Sequence, residues 1–357
     1  MNFFVANHVH MVKLLLEYGL QPDILVCRTE HHLSKEIRNK LALFCNVKPN
    51  AVIESIDVPT IYDVPLVMQK EKLDKVVLSH IKLSAKNEPD LESWKNFLLK
   101  LKHPKSEVNI ALVGKYVELP DAYKSINEAF IHAGSERECK VNVTYFSSEI
   151  LNESNIHEKL KGMDGVLVAP GFGDRGIEGK IETIKYIREN KIPFFGICLG
   201  MQCAVIEFAR NVIGFKDAHS YEMDQKTKHP VIDLMEHQRS ITKKGGTMRL
   251  GSYPCSLTKG SKSYTAYGKP KINERHRHRY EFNNKFRTQF ENAGMLIAGT
   301  YPEKDLVEIV ELPTHPFFVG VQFHPELKST VQNPHPLFVK FVKAAQEYRS
   351  NLEKSEK

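Results

Sequence analysis

One cysteine, in the stretch FFGICLGMQ, lies where a chain can make a thiol reactive. Cys198 follows the apolar run PFFGI, which is typical of a buried strand, and precedes apolar residues at helical spacing. Gly196 and Gly200 permit a tight turn between the two, so the sequence predicts a nucleophile elbow with the thiol at its tip. The N-terminus of a helix also favours the thiolate over the thiol. A buried structural cysteine is the alternative interpretation.

A nucleophilic thiol needs a base, and the later stretch VQFHPE supplies a candidate. His324 and Glu326 follow another apolar strand, two residues apart, so their side chains can point the same way. We expect His324 to take the thiol proton and pass it to a leaving amine, while Glu326 holds the imidazole in one tautomer. Backbone N–H groups of Gly171, in APGFG, and of Leu199 are the predicted oxyanion donors. This set indicates acyl transfer.

The elements that must position these residues alternate from residue 106 onward. The runs VNIALVG, KVNVTYF, DGVLV and PFFGI predict strands, and SINEAFIHAGSE and IETIKYIREN predict helices between them. This alternation predicts an α/β fold with a doubly wound, mostly parallel sheet, further strands late in the chain and a C-terminal amphipathic helix. Because functional groups gather at the carboxyl ends of such strands, we expect three strand ends to meet at the cysteine.

The chain before residue 106 has a different character. It mixes helix-like segments with one short apolar run, DILVC, and a helix in LESWKNFLLKLK closes it before a linker at Pro104. We therefore predict one domain at residues 1–105, a second at residues 106–350 and a charged tail at residues 351–357.

Composition argues against several classes of protein. The 357 residues carry a net charge of +7, and six cysteines form no C-x-x-C pair, which disfavours a disulfide framework or zinc ribbon and favours a reducing, cytoplasmic location. The start MNFFVANHVH lacks the long apolar run of a secretory signal, so we expect neither export nor membrane insertion. The basic run ERHRHRYEF contains acidic residues and accompanies no nucleic-acid-binding motif, so nucleic acid is not an expected partner.

Several motifs together resemble one enzyme family. GICLGMQ with a later FHPE is similar to the class I, triad-type glutamine amidotransferases, and GKYVELPDAY, GFGDRGIEGK, GGTMRLG, ERHRHRYE and HPLFVKFVKAA narrow the resemblance to the CTP synthase family. The likeness extends upstream into GLQPDILVCR and LALFCNV. It implies a flavodoxin-like amidotransferase domain preceded by part of a P-loop-like amidoligase domain. Another class I amidotransferase or a γ-glutamyl hydrolase is a more distant alternative.

The resemblance also assigns site residues. It implies Cys198 as the nucleophile and His324 and Glu326 as its partners. Glu222 and Arg279 would hold the amino and carboxylate ends of L-glutamine, which agrees with the ability of arginine to bind a carboxylate through two hydrogen bonds. The remaining implied contacts of glutamine are Gly171, Leu199, Gly200, Met201 and Gln202.

In this family the ammonia released from glutamine serves the ATP-dependent amination of UTP to CTP in pyrimidine biosynthesis. The resemblance therefore implies ATP and Mg²⁺ as cofactors, GTP as an activator and a homo-oligomer. Of the nucleotide contacts Lys40, in NKLALFC, is matched, no metal ligand is assigned, and the sequence contains no G-x-x-x-x-G-K-[ST] loop. We expect glutamine hydrolysis from this chain, and no CTP synthesis by the chain alone.

Two functions stay open at this point. The chain is either the glutaminase half of a CTP synthase, in a truncated or split form, or a non-catalytic or regulatory subunit that docks on a full-length or split synthetase partner. The presence of Cys198, His324 and Glu326 favours the first.

Overall fold

A computed structural model describes residues 3–119, 121–234 and 248–355. The chain divides into two compact units, Met1–Leu98 and Leu99–Lys357. The predicted domain boundary after residue 105 lies a short distance beyond the division between these units. The first three residues of the GGTMRLG motif and the last two of the predicted charged tail lie outside the described residues.

The first unit is built on a parallel pair of strands in which Leu25 lies opposite Val52. Buried apolar side chains of its first helix, among them Val5 and Val9, share a core with Leu41. The elements are α1 (Phe3–Glu17), β1 (Leu25–Thr29), α2 (Lys35–Phe44), β2 (Val52–Ile56), α3 (Val64–Lys70), α4 (Leu73–His80) and α5 (Glu92–Lys102), the last of which ends in the second unit.

The second unit contains a large sheet and a small one. Its strands are β3 (Ser106–Gly114), β4 (Cys139–Ser147), β5 (Gly165–Val168), β6 (Phe194–Ile197), β7 (His219–Ser220), β8 (Pro230–Leu234), β9 (Arg249–Leu257), β10 (Lys271–His278), β11 (Tyr280–Phe282), β12 (Leu296–Tyr301), β13 (Leu306–Glu311) and β14 (Phe318–Val321). In the described residues the large sheet has the order β10-β9-β12-β13-β14-β6-β5-β3-β4, and the small sheet the order β11-β8-β7. Strands from β14 to β4 pair in parallel, and those from β10 to β14 pair antiparallel.

Helices cover both faces of the parallel strands. The described helices of the second unit are α6 (Lys124–Glu136), α7 (Ile156–Lys159), α8 (Ile177–Glu189), α9 (Leu199–Phe208), α10 (Lys262–Tyr267), α11 (Arg287–Asn292) and α12 (Pro336–Ser355). Of these, α6, α8, α9 and α12 pack against the parallel strands. Alternate residues of β3 enter separate cores, with Ala111 and Val113 on the face of α8 and α9, and Ile110 and Leu112 on the face of α6 and α12. This period of two in a strand buried on both sides explains its continuous apolar sequence. The predicted doubly wound α/β fold is confirmed.

The sheet brings three predicted strand ends together. Val168 of β5 lies opposite Gly196 of β6, and Ile197 of β6 lies opposite Val321 of β14. The segments that leave these strands therefore emerge side by side, at the edge where α/β proteins bind ligands. Among the described helices, none is both long enough and apolar enough to cross a membrane.

Candidate active site

The turn at Cys198 has the geometry that its sequence predicts. Cys198 has φ 52° and ψ −102°, a strained conformation for a residue with a side chain, and its N–H donates to the Val321 carbonyl at 2.7 Å. A side-chain carbon added at Gly196 would lie 2.8 Å from the backbone of Gly200, and one added at Gly200 would lie 2.2 Å from the Val168 carbonyl oxygen. Only glycine fits at both positions, so the tight strand-to-helix turn is confirmed.

The imidazole of His324 is placed between a carboxylate and the thiol. Its Nδ1 lies 2.7 Å from Glu326 Oε1, and its backbone N–H donates to the Arg275 carbonyl at 2.8 Å. Burial lowers the pKa of His324, but contacts with the Cys198 thiol and the Glu326 carboxylate outweigh burial and raise it to about 10. The buried Nε2 has no hydrogen-bond partner of normal geometry among the described residues. The ring is thus arranged to hold the Cys198 proton.

A cavity of about 100 Å³ opens above the Cys198 thiol. Five of the predicted site residues line it, although they come from four separate segments of the chain. Its described lining consists of Gly171, Phe172, Cys198, Gln202, Glu222, Met248, His278, Arg279 and Tyr280. The structure therefore brings the predicted nucleophile and both predicted substrate anchors to one small cavity.

The remaining predicted contacts of glutamine lie beside this cavity and do not line it. Leu199 is adjacent to Gly171, because a side-chain carbon added at Gly171 would lie 3.4 Å from Leu199 Cδ2. Since α9 begins at Leu199, the N–H groups of its first turn have no partners within the helix, so they can act as oxyanion donors. Met201 is fully buried and packs against Gly320 of β14.

Glu222 and Arg279 supply opposite charges to the cavity. Burial raises the pKa of Glu222, while Arg279 and a backbone hydrogen bond from Gly173 oppose this rise. Arg279 lies between β10 and β11, and Glu222 follows β7, so the large and small sheets each contribute one charge. An amino acid with both an ammonium and a carboxylate would meet a complementary group at each end.

Sequence reasoning missed four of the lining residues. Phe172, His278 and Tyr280 are each adjacent in sequence to a predicted residue, and this adjacency is the signal that could have found them. Met248 follows the residues that the structure does not describe and carries no such signal.

Two lysines lie close to the loop that carries Gly171. Lys180 of α8 is fully buried, donates to the Ala169 carbonyl at 2.8 Å, and has its pKa lowered to about 8 by burial. Lys115 donates to the Gly173 carbonyl at 3.0 Å, and burial also lowers its pKa. Both cations hold the loop through its backbone, and both were missed from the sequence.

A second set of buried ionisable groups, here called the arginine cluster, consists of Arg249, Glu281, Glu308, His276 and His278. Arg249 donates to Glu281 at 2.9 Å and to Glu308 at 2.8 Å, and His276 Nδ1 lies 2.8 Å from His278 Nε2. Burial raises the pKa of both carboxyl groups, although Arg249 opposes this rise, and burial lowers the pKa of both histidines. Two carboxyl groups therefore share one guanidinium.

The other cysteines provide a contrast to Cys198. Cys203 lies within α9 and is completely buried, and burial raises the pKa of its thiol to about 11. Burial also raises the pKa of Cys255. Neither thiol lines the cavity.

Lys40, the predicted nucleotide contact, is an exposed residue of α2 in the first unit. Across the described ranges, no group of three or more His, Cys, Asp or Glu side chains is placed to bind a metal ion. Among the residues that the structure describes, the carboxylate, imidazole and thiol side chains thus do not by themselves fit a Mg²⁺ site.

Comparison with known families matches both units. Residues 118–344 match the family described as glutamine amidotransferase class-I, and residues 5–83 match the one described as CTP synthase N-terminus. The chain is 70% identical over 339 residues to a CTP synthase of Cytophaga hutchinsonii, covering 95% of this chain and 63% of that protein. It is 58% identical over 336 residues to a CTP synthase of Bacteroides fragilis, covering 94% of this chain and 63% of that protein.

A solved structure shows the same likeness in the second unit. The glutaminase domain of Trypanosoma brucei CTPS with bound acivicin is 37% identical, with a TM-score of 0.64, and the match covers 67% of this chain and 94% of that one. The chain spans just under two thirds of the length of the curated relatives named above. On the family matches, the sequence identities and this structural likeness, the chain belongs to the CTP synthase family and carries that family's class I glutamine amidotransferase domain.

Proposed function

We propose that this chain hydrolyses L-glutamine to glutamate and ammonia with Cys198 as its nucleophile. The observation that carries the proposal is the strained turn that places Cys198 in one cavity with Glu222 and Arg279, next to an imidazole that a carboxylate orients. A nucleophile, an oriented base and paired substrate anchors are the parts that amide hydrolysis by a thiol needs.

Binding of glutamine depends on its two charged ends. The α-carboxylate binds the Arg279 guanidinium, and the α-ammonium binds the Glu222 carboxylate. The side-chain amide then points at the Cys198 thiol. This orientation excludes amides that lack a zwitterionic end, because they would leave two charges of the cavity without partners.

The chemical steps follow from the His324 proton. The Cys198 thiolate attacks the side-chain carbonyl carbon, and the N–H groups of Gly171 and Leu199 stabilise the resulting oxyanion. The carbon–nitrogen bond breaks as the His324 imidazolium gives its proton to the leaving ammonia, which leaves a γ-glutamyl thioester. Neutral His324 then takes a proton from water, the hydroxide attacks the thioester, and the carbon–sulfur bond breaks to release glutamate and restore the thiolate.

The second part of the proposal concerns the use of the ammonia. As part of a CTP synthase, this chain supplies ammonia for the ATP-dependent amination of UTP to CTP, in a homo-oligomer or with a synthetase partner, with GTP as an activator. Support comes from the match of residues 5–83 to the CTP synthase N-terminus and from the names of the relatives. Lys40 is the residue of this chain that we assign to the nucleotide.

The test is to incubate the purified chain with glutamine, ATP, UTP, GTP and Mg²⁺ and to measure glutamate, ammonia and CTP separately. We expect equal amounts of glutamate and ammonia, and no CTP. Cys198→Ser is the control, and it should abolish both products. If the wild-type chain formed no glutamate, a non-catalytic subunit that docks on a full-length CTP synthase would be favoured instead. CTP formed without an added partner would contradict the expectation that the chain alone makes no CTP.

A further inference from the structure

The side-chain amides of two buried glutamines, Gln202 and Gln322, connect the Tyr280 carbonyl to the sulfur of Cys198 through hydrogen bonds. The side chain of Gln202, on α9, donates to the Tyr280 carbonyl at 3.0 Å and to Gln322 Oε1 at 3.2 Å. Gln322 Nε2 in turn lies 3.7 Å from Cys198 Sγ, a normal distance for a hydrogen bond to sulfur. Gln322 is completely buried, and Gln202 is 4% exposed.

The Tyr280 carbonyl, at one end of this hydrogen-bonded series, determines which way each amide faces. The Tyr280 carbonyl can only accept a hydrogen bond, so Gln202 must present its NH₂ group there. The same NH₂ faces the Gln322 amide, which must therefore present its oxygen. Only the NH₂ of Gln322 then remains to face Cys198. An amide flip at either glutamine would bring two donors or two acceptors together.

We propose that Gln322 is a hydrogen-bond donor to the nucleophilic sulfur and that Gln202 holds it in the donating orientation. A thiol sulfur is a weak acceptor, whereas a thiolate is a strong one, so a fixed donor stabilises the thiolate in preference to the thiol. The thiol proton is thereby left to His324 Nε2. This inference rests on the proposed role of Cys198 as the nucleophile and adds a residue to it.

The position of Gln322 explains how its side chain stays in place. Its backbone N–H donates to the Glu308 carbonyl at 2.9 Å, and the preceding residue, Val321, accepts from the Cys198 N–H. The backbone and the side chain of Cys198 are therefore both held by the end of β14. Once the thioester forms, the sulfur loses its negative charge and the hydrogen bond weakens, so the donor favours the return of the thiolate as glutamate leaves.

Other ionisable groups act on this sulfur and must stay unchanged in a test. His324 and the buried ammonium of Lys180 act directly on Cys198. Further ionisable groups lining the same cavity are Glu222, His278, Arg279 and Tyr280. A substitution at Gln322 changes none of these.

The test is the rate of Cys198 alkylation by iodoacetamide as a function of pH, followed by peptide mass spectrometry. Gln322→Met keeps the size of the side chain but removes the donor, so the pH midpoint of alkylation should rise by about one to two units. The plateau rate above the midpoint should be at least that of the wild type. A purely structural role would instead lower the rate at every pH.

Gln202→Met provides a second variant, which keeps Gln322 but frees its amide to turn. Its midpoint should rise by less than that of Gln322→Met. Gln346→Met is the matched control, because Gln346 of α12 bonds to Ser106 and Arg137, away from the cavity, and its midpoint should equal that of the wild type. Melting temperatures identify variants that fail to fold.

Unchanged midpoints in folded Gln322→Met and Gln202→Met would overturn this inference. If Gln322→Met does not fold, an unchanged midpoint in Gln202→Met alone would overturn the inference. Glutamine hydrolysis by the wild-type chain is measured in parallel. Raised midpoints in variants of a chain that does not hydrolyse glutamine would support the donor role while refuting the proposed function. Unchanged midpoints in variants of a chain that does hydrolyse glutamine would refute the donor role while supporting the proposed function.

Discussion

Two sets of buried ionisable groups in the second unit, the pair His324–Glu326 beside Cys198 and the arginine cluster, have different surroundings. His324 in the pair and Glu281 in the cluster have strongly shifted pKa values, and both sets contain buried polar atoms without partners among the described residues. The pair faces a thiol on a strained turn. In the cluster, Arg249 is bound by two carboxyl groups, and His278 alone lines the cavity.

This difference shows which features identify a functional site. Shifted pKa values also arise where burial is the main cause, as in the arginine cluster. What separates the pair is the contact of His324 with the Cys198 thiol, which lines a cavity together with Glu222 and Arg279.

Labelling by an electrophilic glutamine analogue should distinguish completely between two thiols, that of Cys198 in the turn before α9 and that of Cys203 within α9. Cys198 should be modified completely, and Cys203 should stay unmodified, because burial raises the pKa of Cys203 to about 11 and places its sulfur away from the cavity. Peptide mapping checks this. A label on Cys203 or Cys255, with Cys198 free, would refute the assignment of the nucleophile.

Replacement of His324 by alanine should lower kcat for glutamine hydrolysis by about 10²- to 10⁴-fold, because the proton donor to ammonia is lost. The melting temperature should change little by comparison. His315→Ala is the control, since His315 is buried but bonds to the Ile187 carbonyl outside the cavity. Equal losses of kcat in the two variants would remove the special role of His324.

Arg249→Met, in contrast to His324→Ala, should cause a large loss of stability. It leaves two buried carboxyl groups without their shared cation, which should cost about 3–5 kcal/mol in the free energy of unfolding. Arg287→Met is the control, because Arg287 pairs with the exposed Asp305 and should cost about 1 kcal/mol or less. Chemical denaturation measures both values, and similar losses would contradict a buried role for Arg249.

Arg279→Lys should weaken glutamine binding by about 1–3 kcal/mol, because lysine keeps the charge but cannot form two parallel hydrogen bonds with a carboxylate. The change should appear in KM much more than in kcat. Arg275→Lys changes an exposed residue of β10, the strand that precedes Arg279, and should leave both constants as in the wild type. An effect on kcat alone would instead place Arg279 in the chemical step.

The free energy of unfolding should depend on pH through the arginine cluster, with a small change per pH unit. Burial raises the pKa of Glu281 and Glu308 above their ordinary value of 4.5, so the folded chain keeps protons that the unfolded chain has lost. Their contribution to stability therefore falls as pH rises above about 4.5, with a slope of at most about 1.4 kcal/mol per pH unit for one proton. Glu281→Gln should flatten this slope in melting curves recorded from pH 5 to 8, and an unchanged slope would show that Glu281 does not titrate there.

Local sequence patterns were sufficient to predict those parts of the site that lie within a single short segment of the chain. The elbow could be predicted because Gly196 and Gly200 flank Cys198, and the close contacts they permit lie within or next to that turn. His324 and Glu326 could be paired because they are two residues apart. The alternation of strands and helices, with its period of two in β3, likewise predicted a sheet covered on both faces.

Other features depend on how distant segments meet, and they could be identified only from the tertiary structure. The antiparallel pairing of β9 with β10 creates the arginine cluster, and no local pattern distinguishes a buried Arg249 from an exposed arginine. Gln202, Tyr280 and Gln322 form one hydrogen-bonded chain although up to 120 residues separate direct partners. The turn at Cys198 and the contact between His324 and Glu326 could be predicted because neighbouring residues build each of them. The cavity and the donor to the sulfur required the register of the sheet, because hydrogen bonds across it act over a few ångströms between residues that the sequence places far apart.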